Sequence, residues 1–206
     1  QQIWQQGIDP KMITAATITT QRGTVVVVDD CGQPLHPAIL WLDERQSENL
    51  PTLPIYWQKL HQISGHQQTI NKLRHRAQAN WFKINKPDIW AKTHKFLLLS
   101  GYLSFKLTGE YTDAVASQVG YVPFDYKKHQ WQGTWDWRWQ ALGLTPEKLP
   151  KVIPAGKLLG QISVEAAEHT GLPVGLPVIS AGADKACEVM GAGCVAPWQG
   201  ALSFGT

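Results

Sequence analysis

The sequence predicts a single mixed α/β domain, and three observations carry that expectation. Thr24 to Val28 is an unbroken β-branched run, the pattern of a strand covered on both faces. Thr93 to Leu107 is the strongest amphipathic segment and is followed by Gly109, suited to a left-handed C-terminal cap. Val178 to Gly193 reads as a short apolar strand, a turn of small residues from Ala181 to Ala183, and a helix.

The remaining elements follow in order. Gln1 to Gly7 is suited to closing a helix. Ile13 to Thr20 alternates apolar and hydroxyl residues, as a half-buried strand does. Asp30, Cys31 and Gly32 supply a turn, and Leu35 to Trp41 resumes an extended path, so the opening third is expected to be a β-meander. Tyr56 to Ile63 and Arg74 to Ile84 carry helix-spaced apolar residues separated by the breaker Gly65, and Pro87 restarts the chain. Residues 121–160, rich in Trp, Pro and Gly, are expected to be irregular around one short helix at Trp135 to Leu142. Ser163 caps a helix running to Thr170, closed by Gly171 with Pro173 beyond it. No repeat, linker or low-complexity segment interrupts the chain.

Composition narrows the function classes. The chain is 43% hydrophobic and only 17% charged, with a net charge of +3, too mild a balance to imply a polyanionic partner. The densest basic cluster, Lys72, Arg74, His75 and Arg76 beside Trp81 and Phe82, lacks any RNA-module signature and reads as a solvated helix face. Cys31, Cys187 and Cys194 are odd in number, without metal-ligand spacing, and fit reduced thiols of a cytoplasmic protein, two of them along one helix. The histidines are scattered, so no metal site is expected. No apolar stretch approaches the ~18 residues of a membrane span, and no signal peptide is recognisable. The opening QQIWQQ, without an initiator Met, and the ending SFGT lead to the expectation that this is a piece of a longer protein.

The stretch ISAGADKACEVMGAG, Ile179 to Gly193, places one carboxylate, Asp184, where the strand ends and the helix begins. Two readings are open. Asp is a favoured helix N-cap, worth roughly 1 kcal/mol. Open α/β sheets also bind ligands outside the carboxyl ends of their strands, which makes the same position a candidate for chemistry. A further strand-like run, Ala201 to Phe204, delivers Gly205 and Thr206, a small-residue turn suited to a phosphate.

Several segments, in order, resemble the FGGY family of carbohydrate kinases. Ile18 to Gln46 is similar to the family's strand–strand–loop ending in Trp-x-Asp-x-Arg, here Trp41, Asp43 and Arg45. Gly101 to Ser117 is similar to its Leu-Thr-Gly and Thr-Asp region, and Val152 to Thr206 to the block holding the acid and the Gly-Thr turn. The resemblance implies a ribonuclease-H-like, actin-like lobe that binds the sugar. Residues 1–206 would form most of that lobe, without the family's opening strands and their Asp-x-Gly-Thr motif and without the second, nucleotide-binding lobe.

The implied activity is ATP-dependent phosphorylation of a sugar or polyol hydroxyl, with ATP and Mg2+ held mainly by parts outside the chain and the chain alone inactive. A non-catalytic actin-like module that binds a sugar or protein is the rival. The resemblance casts Asp184 as acceptor of the hydroxyl proton, Gln21, Arg22 and Trp41 as sugar contacts, and Gly205 and Thr206 as phosphate contacts. Asp43 and Arg45 are expected to pair structurally. Two departures stand out. Gly23 replaces the Glu of glycerol kinases, which speaks against glycerol, and Lys185 replaces the usual Gln or Asn after the acid. Lys185 with Arg22 would make a dicationic pocket suited to a sugar acid, unless Lys185 faces solvent. Nucleic acid and membrane are not expected partners, and exposed lobe-facing apolar surface is expected to favour a homodimer.

Overall fold

The computed structural model describes residues 4–202. The ladder order is β1 (Ala16–Thr17), β9 (Pro177–Ile179), β8 (Leu158–Gln161), with β1 parallel and β8 antiparallel to the central β9. A second ladder pairs β2 (Val25–Val28) antiparallel to β3 (Lys95–Leu98), and a third pairs β4 (Thr112–Ala114) parallel to β7 (Lys151–Ile153). A small hairpin joins β5 (Phe124–Asp125) to β6 (Gln130–Trp131). The α/β class expected from the sequence is therefore observed.

All four valines of β2 are buried, as a strand covered on both faces requires. The opening third is not a meander, however. The chain returns past β2 through only two isolated bridges, Val28 to Pro34 and Val25 to Ile39. Pro34 and Pro37 lack the N–H that a regular ladder would need there. Of Ile13 to Thr20 only two residues are strand, and their partner is β9, far away in sequence. At the amino end a short 3-10 turn, Trp4–Gln6, stands where a helix end was expected, with residues 1–3 outside the described region.

The helices are α1 (Ile55–Ile63), α2 (Gln67–Arg76), α3 (Gln78–Asn85), α4 (Pro87–Lys92), α5 (Leu99–Thr108), α6 (Trp137–Leu142), α7 (Val164–Thr170) and α8 (Asp184–Gly191). Two expectations fail here. Arg74 to Ile84 is not one helix, because Ala77 turns extended (ψ 117°). The carbonyl of Arg74, which would have taken the next helical bond, accepts instead from Asn80 Nδ2 at 2.9 Å; the same amide also reaches the Ala141 carbonyl at 2.8 Å. Thr93 to Leu107 is not one helix either. Phe96, Leu97 and Leu98 form β3, buried on both faces, where helical and strand periodicity cannot be told apart. The helix that follows, α5, ends as expected on Gly109 at φ +76°.

Residues 121–160 are more regular than expected, holding β5 to β8. The β5–β6 turn is tied by Asp125 Oδ1, which accepts from the N–H groups of Lys127 and Lys128 at 2.9 and 3.1 Å. Cys187 lies in α8, but Cys194 lies beyond its end; the three thiols are free. Among the described residues no helix is long and apolar enough to cross a membrane.

Helix α5 packs against β2, β3, β4, β8 and α7. The largest core cluster joins Val25, Val27, Phe96 and Leu98 to Phe82 of α3 and Phe124 of β5. A second joins Ile153, Leu159, Ala166 and Val178, fixing β9 against α7. The basic cluster is a clamp rather than a bare face: Arg74 Nη2 donates to the Pro51 carbonyl, and the His75 ring meets the Ser47 carbonyl.

The end of β9 is pinned from one side. Ser180 N–H donates to the Lys157 carbonyl at 2.8 Å, its carbonyl accepts from Gly156 N–H at 2.8 Å, and its buried hydroxyl donates to the Ile153 carbonyl at 3.0 Å. Replacing that hydroxyl leaves a buried acceptor unmet, so Ser180→Ala should lower stability by about 1–2 kcal/mol in a denaturant titration.

Candidate functional site

Because β1 and β9 run parallel, with Thr17 opposite Ile179, the segments leaving their carboxyl ends travel together. One is Ile18 to Gly23; the other is Ser180 to Asp184. They meet where Asp184 N–H donates to the Thr20 carbonyl at 3.2 Å. The acid at the start of α8 and the Gln21–Arg22 pair therefore lie on one edge, as open-sheet ligand sites do.

Asp184 is not a side-chain cap. The capping position belongs to Ala183, which is extended and makes no side-chain bond, and Asp184 is the first residue of α8. Its Oδ1 accepts from Lys185 N–H at 2.7 Å, and the residue is half-exposed.

Arg22 is exposed and lines a concavity of about 310 Å³ together with Gln118, Tyr126, His129, Pro154 and Ala155. Asp184 lies outside that lining and is joined to it through Thr20. Gln21 Nε2 reaches Thr24 Oγ1 at 3.4 Å. Gly23, at φ +84°, turns the chain into β2 directly against Trp41: a Cβ added there would lie 3.4 Å from Trp41 Cβ. Trp41 is 58% exposed, so its indole is not core. Asp43 and Arg45 pair at 2.7 Å, which holds the Asp43 carboxyl below its usual range, and the guanidinium sits 4.3 Å over Trp81. Lys185 is exposed, and its ammonium donates to Glu188 Oε2 at 2.7 Å. Gly205 and Thr206 lie outside the described residues.

The far wall of the concavity was invisible in the sequence. Tyr126 and His129 arrive on the β5–β6 turn, where His129 takes φ +54°. Burial raises the Tyr126 phenol, and the neighbouring Arg22 and Arg138 oppose that rise. Gln118, nearly buried, follows a 3-10 turn after β4. Its Nε2 donates to Asp113 Oδ2 at 2.9 Å.

Asp113 is 0% exposed. Its Oδ1 accepts from Ala114 N–H at 2.7 Å, and Gly101 of α5 presses on it so closely that an added Cβ would sit 3.1 Å from Oδ2. Burial pushes this carboxyl up to about 6 against the opposing pull of Ser100, Gln118 and the Ala114 N–H. The buried Ser100 hydroxyl nonetheless falls outside hydrogen-bonding geometry. The Asp–Gln pairing might have been sought from the Thr-Asp segment, but nothing in a single sequence says which later residue an Asp meets.

Among the described residues, one group of potential metal ligands converges, at Asp29, Asp30 and Cys31. It follows the opposite end of β2 from Arg22, a strand length of about 13 Å away. It is no part of this site.

The raised Asp113 pKa has a definite sign. Between about pH 4 and 6 the folded chain retains a proton that the unfolded chain has released, so stability falls as pH rises through that window. Asp113→Asn should remove this component, about 3 kcal/mol, from the pH dependence of chemical denaturation.

The comparisons with known proteins bear on the family and the fold. The FGGY family of carbohydrate kinases, N-terminal domain, matches residues 1–191. The chain is 34% identical to an L-fuculokinase of Haemophilus influenzae, covering 100% of this chain and 43% of that protein. It is 28% identical to a xylulose kinase of Lactococcus lactis, covering 95% of this chain and 38% of that protein. Xylulose kinase from Rhodospirillum rubrum superposes with a TM-score of 0.68 at 22% identity, over 89% of this chain and 38% of that one. Plasmodium falciparum glycerol kinase with ADP superposes with a TM-score of 0.64 at 20% identity, over 88% and 36%. The chain thus spans about two fifths of the length of these relatives. Its α/β architecture is the ribonuclease-H-like, actin-like one of their first lobe, and the chain belongs to the FGGY family of carbohydrate kinases.

Proposed function

We propose that this chain is the sugar-binding lobe of an enzyme that transfers a phosphoryl group from ATP to a hydroxyl of a sugar or polyol. The observation that carries the reading is the junction of Asp184 with the Arg22 loop through Thr20, created by the parallel β1–β9 pair. Identity to xylulose kinases and L-fuculokinases supports a ketose as the substrate.

Phosphoryl transfer asks the protein mainly for positioning and charge stabilisation, with little covalent work. Arg22 presents a rigid fork of donors that grips two sugar oxygens, and Gln21 adds a shorter polar contact beside it. Trp41, with its indole half in solvent, offers an apolar face to the sugar's C–H groups. Asp184 orients the reacting hydroxyl and accepts its proton. A loose transition state requires proton acceptance only late, so a positioned carboxylate suffices as the acceptor. Lys185 serves an anionic substrate only by giving up Glu188, so a neutral sugar fits the observed pairing better.

ATP with Mg2+ would supply the phosphoryl group and neutralise its charge. Gly205 and Thr206 are proposed to meet its phosphates with backbone N–H groups and a hydroxyl. Among the described residues, Asp184 is the acid on this edge that fits a role facing that group.

The test uses the polypeptide carrying this chain, with ADP release measured against D-xylulose, L-fuculose, glycerol and gluconate. Asp184→Asn should cut kcat by at least about 100-fold while leaving sugar KM within a few-fold. Near-normal turnover in that variant would reject the assignment.

A further inference from the structure

Gln118 is the one wall of the Arg22 concavity whose orientation is dictated from below. Its Nε2 donates to Asp113 Oδ2 at 2.9 Å and to the Ala114 carbonyl at 3.0 Å. A carbonyl only accepts, so the nitrogen must face that way and both amide hydrogens are spent. What remains is Oε1, an acceptor, and among the described residues no donor reaches it. Asp113 cannot relax to let the amide turn. It is fully buried, bound to Ala114 N–H at 2.7 Å, and packed under Gly101.

The opposite wall has the complementary chemistry. Arg22 offers donors only, and Gly23 beside it has no side chain to accept anything. A hydroxyl held by Arg22 through its lone pairs still carries an O–H that needs an acceptor, at a cost if it is left unmet. Gln118 lines the same concavity, and its Oε1 is the amide atom not spent on Asp113 and Ala114.

We propose that Gln118 is a substrate contact, accepting a hydrogen bond from a hydroxyl of a neutral polyhydroxylated ligand held by Arg22, and that Asp113 is the positioning residue that aims it. The inference rests on the sugar-binding reading above and sharpens it. A carbonyl oxygen facing a carboxylate sets lone pair against lone pair, so this contact selects neutral ketoses and polyols over sugar acids.

Calorimetric titration of the polypeptide carrying this chain with D-xylulose, L-fuculose, glycerol and gluconate tests it. For the best-bound neutral compound, Gln118→Leu and Asp113→Asn should each weaken affinity roughly tenfold, the scale of one hydrogen bond. The double variant should be no weaker than either single one, because both remove the same contact. In the unsubstituted chain, the Gln118 side-chain amide signal in a 1H–15N spectrum should move as that compound saturates. This measurement decides alone if Gln118→Leu fails to fold.

An unmoved amide signal, or unchanged affinity in a folded Gln118→Leu, overturns the contact. Additive losses in the double variant overturn the positioning role of Asp113. Tighter binding of gluconate than of every neutral compound overturns the selectivity. If none of the four binds the unsubstituted chain, the sugar reading of the concavity is itself rejected and the Gln118 contact falls with it.

Discussion

The arrangement depends on a very short parallel ladder. Ala16 and Thr17 pair with Val178 and Ile179, and this ladder, with the Asp184 N–H bond to the Thr20 carbonyl, brings the two halves of the site to one edge. Two residues of ladder are too few to stand alone. They persist because β9 is held on its other side by β8, and because Val178 is buried in the core built on α7. Ser180 then stops the chain from drifting by spending its N–H, carbonyl and hydroxyl on residues 153–157. Only after that does the backbone turn into α8 and present Asp184.

A second constraint works through polarity rather than packing. Among the described residues, the buried Asp113 carboxyl pairs with no cation. Asp113 accepts hydrogen bonds from N–H donors, those of its own neighbour and of Gln118. Burying it is costly, as its raised pKa shows. One of its two N–H donors is a side-chain amide at the wall of the concavity. Gly101 allows the close approach, since any side chain at that point of α5 would crowd the carboxyl.

Local chemistry was legible wherever it closed on itself within a few residues. The α7 boundaries were readable because Ser163 Oγ accepts from Ala166 N–H at 3.1 Å and Gly171 takes the left-handed cap. Gly109 ended α5 for the same reason, and the Asp43–Arg45 pair lies within two residues. The acid at Asp184 and the Arg22 turn were readable as motifs, but their proximity was not. Misreadings clustered where the deciding partner is distant. Asn80 breaks α2 from α3 by reaching the carbonyls of Arg74 and Ala141, and Phe96 to Leu98 became strand because β2 lay alongside.

By itself, then, the sequence determined the α/β class and several helix ends, because caps, turns and apolar spacing act over a single turn or strand. Only the tertiary structure decided that β1 lies beside β9, that Lys185 pairs with Glu188, and that Gln118, Tyr126 and His129 line one concavity with Arg22. Those outcomes are set by which buried groups find partners across the fold. That is a property of three-dimensional closure, and no local pattern encodes it.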